Sequence, residues 1–191
     1  MTLRVPVLRL APGTNIVVDI AAWAFFHAAT GYAVHRLPLR RLEHDNWLLR
    51  GRRVELDGHL YERFGIRRWK DGLPEAGALF AGGVSKRRLT GTDAAGLSRF
   101  AMETRRAELG HWSAMACGPL FVLWNPPAVA ATMVAYGIVV NVPFIAIQRY
   151  NRLRIERVLA RRRNRSSAPD STRTAAATRR RSSRISGSSI P

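Results

Sequence analysis

Apolar residues in this chain are gathered into blocks rather than spread in alternation. Ile16 to Val34 (IVVDIAAWAFFHAATGYAV) and Ala128 to Ile147 (AVAATMVAYGIVVNVPFIAI) contain no Lys or Arg. Each is about 20 residues long, which as a helix crosses roughly 30 Å of hydrocarbon. A third block, His111 to Trp124 (HWSAMACGPLFVLW), reaches only about two thirds of that distance. It becomes long enough by recruiting Ala107 to Gly110, which puts Glu108 and His111 at headgroup level. Asn125-Pro126-Pro127 supplies the turn that follows, because proline disfavours helical geometry in the residue before it and is tolerated at the start of the next helix. A full hairpin and a re-entrant dip both satisfy the length, and both place His111 near a lipid surface.

The pattern predicts an all-α integral membrane protein of about three transmembrane helices, one N-terminal span followed by a hairpin. The layout is an N-terminal region and first span over 1–35, a cytoplasmic interfacial region over 36–106, the hairpin with a basic juxtamembrane helix over 107–160, and a disordered tail over 161–191. With 31 Lys and Arg against 13 Asp and Glu in 191 residues, the net charge is +18. Most of that excess follows the first apolar block and the last one. The positive-inside rule therefore puts both basic regions in the cytoplasm, with the N-terminus outside and the C-terminus inside a multi-pass plasma-membrane protein. A cleaved signal peptide fits the first block less well, since only Arg4 and Arg9 precede it and no small-x-small site follows a short apolar core.

The tail from Arg161 is rich in Ser, Thr, Ala and Arg and nearly devoid of apolar bulk, so it cannot bury enough surface to fold. Placed after a membrane span, such a tail is expected to hold anionic lipids, at about 1 kcal/mol per basic residue near the surface. Nucleic acid is not the expected partner. In the central region, Gly58 to Trp69 (GHLYERFGIRRW) mixes aromatics with Arg63, Arg67 and Arg68, as a segment lying at headgroup depth does. This cluster, and Lys86-Arg87-Arg88 after Ala81-Gly82-Gly83, are candidates for the phosphates of an acyl carrier such as coenzyme A. Neither has the spacing of a glycine-rich phosphate loop.

Candidate chemistry centres on ETRRAELGHW, Glu103 to Trp112. Helical spacing places Glu108 one turn before His111 and Glu103 two turns back. A carboxylate that accepts a proton from one imidazole nitrogen fixes the tautomer and raises the basicity of the other, the arrangement a general base uses to activate a hydroxyl. Against this stands the plainer reading, an Arg105–Glu108 ion pair one turn apart beside a His111-Trp112 interfacial anchor. Cys117, the single cysteine, sits in an apolar run and reads as a packing residue. The five histidines offer no metal framework. Asp19, Trp23 and His27 form an i, i+4, i+8 stripe on the first span, with Asn15 as its cap. Asn141 and Pro143 interrupt the last span. Polar groups at membrane depth are functional candidates by default.

RRWKDGLPEAG (Arg67 to Gly77), ETRRAELGHW and NVPFIAIQRYNRLR (Asn141 to Arg154) occur in the order and rough spacing of the glycosyl-4,4'-diaponeurosporenoate acyltransferase family, membrane enzymes that acylate the sugar of a glycosylated carotenoid acid. The resemblance covers roughly residues 60 to 160. One departure is Leu153, where the family typically reads a proline (QRYNRPR); without it the helix continues past the membrane edge. The resemblance implies acyl transfer at the cytoplasmic face. The donor is an activated thioester, acyl-CoA or an acyl carrier protein, and the acceptor a lipid-embedded glycosylated molecule, with no cofactor beyond the thioester. The resemblance assigns no catalytic residue, so the roles come from the residues themselves: His111 is expected to take the hydroxyl proton, Glu108 or Glu103 to orient it, and Arg149, Asn151 and Arg152 to face the developing oxyanion. Trp112, Arg68 and Lys70 join them as substrate-binding candidates. The alternative is a non-catalytic membrane protein that binds anionic lipids or scaffolds neighbouring enzymes.

Overall fold

A computed structural model describes residues 6–8, 10–73 and 93–167. Among these residues the regular structure is helical, with no strand. The chain divides into two compact units, 1–156 and 157–191. Five α-helices appear in order: α1 (Pro12–His35), α2 (His59–Arg63), α3 (Ile66–Trp69), α4 (Ala94–Ala116) and α5 (Pro127–Ser167), with short 3-10 turns between them.

Helix α1 starts at Pro12, whose missing N–H costs nothing in a first turn, behind Ala11 rather than the expected cap Asn15. Asn15 lies inside the helix and donates its own N–H to the Ala11 carbonyl at 2.9 Å. The helix stops at His35, and Pro38 shortly afterwards cannot continue it. Much of α1 faces outward: Ile16, Val17, Ile20 and Phe25 are 62–67% exposed. In water such a surface is unfavourable, whereas hydrocarbon covers it at no cost. Helices α1 and α5 are the two among the described residues that are long and apolar enough to cross a membrane.

The hairpin's first arm differs from an unbroken spanning helix. Helix α4 is capped by Asp93, which accepts from Gly96 N–H at 3.0 Å. It ends at Ala116, three residues before Pro119, and Gly118–Leu123 continues as a 3-10 turn. Pro119 has no N–H to give and its ring collides with the preceding turn, which is why the α-helix cannot reach Trp124. The arm nevertheless runs antiparallel beside α1. A Cβ on Gly110 would meet Val34 at 3.2 Å, Trp23 stacks on Phe121 at 5.0 Å, and Asp19 accepts from Trp124 and Asn125.

Small residues set the closest approaches. The Trp23 indole lies over Gly137 of α5, where an added Cβ would fall 2.7 Å from its ring, and it also reaches Gly118. Phe121, His27 and Tyr136 pack around the same indole at 5.0–5.5 Å between ring centroids.

The segment expected to lie along the interface folds back on α5. Gly58 (φ 99°) and Gly65 (φ 67°) adopt left-handed backbone that glycine alone takes readily and break Gly58–Trp69 into α2 and α3. Ile66 is thereby fully buried against Ile147 and Tyr150 of α5, with Tyr61 and Leu73 beside them, while Phe64 remains exposed. Helix α5 passes Leu153 without interruption and ends at Ser167, so residues 161–167, placed in the tail by the sequence reading, are helical. Leu153 is buried close to Gly51. The basic cluster Lys86-Arg87-Arg88 and the rest of the tail lie outside the described residues.

Replacing Gly137 by Val should displace Trp23 and cost about 1–3 kcal/mol, the usual penalty of overpacking. A lower melting temperature in detergent is the expected readout. Gly13→Ala, with nothing within 4 Å of the added methyl, should leave that temperature unchanged.

Candidate active site

The region around His111 is built on a buried network of ions. Glu108 of α4 has no solvent exposure. Its Oε1 accepts from Arg149 Nε at 2.6 Å and from Trp112 Nε1 at 3.2 Å, and its Oε2 accepts from Arg152 Nη1 at 2.5 Å. Arg152 is equally buried and also donates to the Leu49 carbonyl. Arg149 reaches Glu55 Oε1 at 3.1 Å and the Leu48 carbonyl. Local sequence prepares those two carbonyls. Asn46 Oδ1 accepts from the N–H groups of Leu48 and Leu49 at 3.0 and 2.8 Å. This side-chain-capped turn aims the peptide oxygens at the guanidiniums.

Further contacts extend the network on both sides. Arg105 bridges Asp45 and Glu156, each at 2.6 Å. Glu55 also accepts from the Tyr61 hydroxyl and the Arg52 N–H. Burial, and then the adjoining Glu55 carboxylate, push the Tyr61 phenol well above its ordinary value. At the surface Arg67 joins Glu62 at 2.6 Å and Tyr150 at 3.1 Å. The Arg67 guanidinium holds the Glu62 carboxyl below its usual 4.5, with Tyr150 and His59 adding hydrogen bonds.

His111 faces helix α5. Its Nδ1 lies 3.1 Å from Asn141 Oδ1 on α5, and its ring stacks on Phe144 at 4.9 Å and 10°. Glu108, expected to orient it, instead holds the two arginines. Glu103, the other nominee, pairs with Arg106 at 3.1 Å, and Arg106 also donates to the Leu37 carbonyl. The expected Arg105–Glu108 pair is likewise replaced, since Arg105 turns to Asp45 and Glu156.

The remaining sequence-nominated residues divide clearly. Arg149, Arg152 and Trp112 converge on Glu108, so the structure brings them together as parts of one buried network. Asn151 follows Tyr150 on α5 and is half-buried. Arg68 is exposed on α3, and Lys70 lies 2.5 Å from Asp71. Asp45, Glu55 and Glu156 escaped the sequence reading because their partners are 51 to 94 residues away along the chain. Asn141 did carry a signal, being the one amide inside the last apolar block. Among the described residues, no group of three or more His, Cys, Asp or Glu side chains could hold a metal ion.

A second polar cluster sits elsewhere on α1. Asp19 Oδ1 accepts from Trp124 Nε1 at 2.8 Å and Asn125 Nδ2 at 2.7 Å. It ties the start of α1 to the turn before α5.

Two helices long and apolar enough to cross a membrane, α1 and α5, together with a buried ionic network that ties α4 to α5, mark the class as a helical protein suited to a membrane. The family model described as glycosyl-4,4'-diaponeurosporenoate acyltransferase matches residues 44–161, well over half of the chain, and the chain belongs to that family. A glycosyl-4,4'-diaponeurosporenoate acyltransferase of Staphylococcus haemolyticus (strain JCSC1435) is 36% identical over 103 residues, covering 53% of this chain and 60% of the relative. The protein of the same name from Staphylococcus aureus (strain MRSA252) is 28% identical over 126 residues, covering 65% of this chain and 75% of the relative. No solved structure matches.

Glu108→Gln should remove the charge that Arg149 and Arg152 share, leaving Arg149 with Glu55 and Arg152 with the more distant Glu156 at 3.8 Å, and destabilise the fold by about 3–5 kcal/mol. Its readout is a shortened half-life in detergent. The double variant Glu108→Leu/Arg152→Leu should lose less than either single change. Because the Glu62 pKa is depressed on folding, its contribution to stability is present above the ordinary carboxylate range and lost as pH falls through the folded value. Acid melting curves of Glu62→Gln should therefore show a shallower pH dependence than wild type.

Proposed function

We propose that this protein moves a fatty acyl group from an activated thioester to a sugar hydroxyl of a glycosylated carotenoid or similar glycolipid, at the cytoplasmic mouth of the membrane. The observation that carries this reading is the family match over residues 44–161, which contains His111, its partner on α5 and the whole ion network. The printed names of the relatives supply the acceptor class.

In this reading His111 is the base. Its ring nitrogen takes the acceptor's hydroxyl proton while the sugar oxygen attacks the thioester carbon. A tetrahedral oxyanion forms, the C–S bond breaks, and the proton passes to the departing thiolate. Gly110 beside Val34, near the end of α1, supports a position close to the mouth of the membrane. A soluble donor and an embedded acceptor can meet there. Arg68 and Lys70 meet the phosphates of acyl-CoA or of an acyl carrier protein. Asn151 offers an amide to the oxyanion. Arg149 and Arg152, their charges already committed to Glu108, position α4 against α5, and Trp112 steadies the Glu108 carboxylate. Glu103 braces α4 through Arg106.

The orientation follows from charge: N-terminus outside, C-terminus cytoplasmic, with residues 107–127 entering the membrane between the two long helices, as a full crossing or a re-entrant dip. A second reading, a non-catalytic protein holding anionic lipids through its tail, is favoured by one observation. Arg161, Arg163 and Arg165 stand exposed on the last turns of α5.

Purified protein supplied with radiolabelled acyl-CoA and a glycolipid extract should yield labelled product. His111→Ala should abolish it, a fall of at least about 100-fold for loss of a general base. Cys117→Ala should retain it. Wild type without product, combined with liposome binding that tracks the number of tail arginines, would establish the second reading instead. For topology, a cysteine placed near the N-terminus should react with an impermeant thiol reagent in intact cells, and one near residue 90 should not.

A further inference from the structure

We propose that Asn141 is the positioning residue for His111, holding the imidazole as the Nδ1–H tautomer so that the basic lone pair lies on Nε2. The inference rests on the reading of His111 as the base. Its geometry stands independently of that reading. Asn141 has no solvent exposure and lies within the apolar part of α5, where an amide is expensive unless both its ends are used. Its Nδ2 donates to the Gly137 carbonyl one turn earlier at 2.9 Å, which fixes the rotation of the amide. Oδ1 then faces His111 Nδ1 at 3.1 Å. A carbonyl oxygen can only accept, so the ring nitrogen opposite it carries the hydrogen.

Phe144, three residues further along α5, stacks on the same imidazole and prevents it from turning. One face of α5 thus supplies both the acceptor and the aromatic plate. Glu108, a turn before His111 on α4, has its oxygens engaged by Arg149, Arg152 and Trp112. Asn141 is a neutral group, and it fixes the tautomer without adding a charge to apolar surroundings. During transfer the acceptor's proton goes to Nε2 as the new C–O bond forms and passes on to the thiolate as the C–S bond breaks, while the other hydrogen stays on Nδ1, donated to Asn141 Oδ1.

Nitrogen NMR of the full chain in detergent with 15N-labelled histidine tests this, His111 being assigned by the signal missing from His111→Gln. Wild type should show Nδ1 protonated. Asn141→Leu should shift the ring toward the Nε2–H form and lower kcat roughly 10–100-fold, as loss of an orienting partner does, with KM changed less than about 3-fold. Asn141→Asp retains an acceptor for Nδ1–H and should keep the wild-type tautomer and recover most of kcat. A wild-type ring protonated at Nε2 overturns the inference, as does an unchanged tautomer in Asn141→Leu protein that elutes as folded. If Asn141→Leu fails to fold, the wild-type and Asn141→Asp tautomers decide the matter. A wild-type Nδ1–H form, lost in Asn141→Leu, in protein that makes no acylated product would uphold the positioning and sink the acyl-transfer reading.

Discussion

Glu108 cannot leave water unless Arg149 and Arg152 go with it. A carboxylate and two guanidiniums removed from solvent cost several kcal/mol each, and only close, well-aligned pairing offsets that. The three side chains therefore bind α4, α5 and the turn around Asn46 into a single arrangement, because the turn's carbonyls take the guanidinium hydrogens that Glu108 does not. Glu55 and Tyr61 attach the short helices to the same centre. Register follows from this: sliding α4 along α5 by one turn would leave Glu108 without either arginine.

Where that register places His111 matters for chemistry. With Glu108 level with Arg149 and Arg152, the next turn of α4 brings His111 to Asn141 and Phe144, about two turns from Arg149 along α5. A histidine in this position touches the apolar side of the structure while the charged network closes the polar side. Acyl transfer between a water-soluble thioester and a lipid-borne alcohol has the same two-sided requirement. The network contributes rigidity and charge balance, and in the proposed transfer the imidazole takes the proton.

Packing in the apolar half uses different means. Lipid supplies little hydrophobic drive between helices, so close contact comes from small residues and interhelical hydrogen bonds. Gly118 and Gly137 admit the Trp23 indole, and Asp19 clasps Trp124 and Asn125. The stripe Asp19–Trp23–His27, visible in the sequence as polar and aromatic residues at helical spacing, is the face by which α1 meets the rest of the fold.

Apolar block length and proline placement by themselves determined that α1 and α5 would be long helices and that Asn125-Pro126-Pro127 would turn the chain, while comparison with the family's proline pointed to a helix running past Leu153. These are local consequences of hydrophobicity, proline geometry and helix period, and the family resemblance in Glu103–Trp112 and Asn141–Arg154 was legible for the same reason. Spacing along one helix could nominate Glu108 as the partner of His111. It could not weigh that pairing against two arginines more than forty residues away, nor reveal that Asp45 and Glu55 would close the network. A buried carboxylate takes whichever partners best offset its desolvation, and those come from other elements. Tertiary structure alone therefore decided that Glu108 binds arginine and that His111 turns to Asn141.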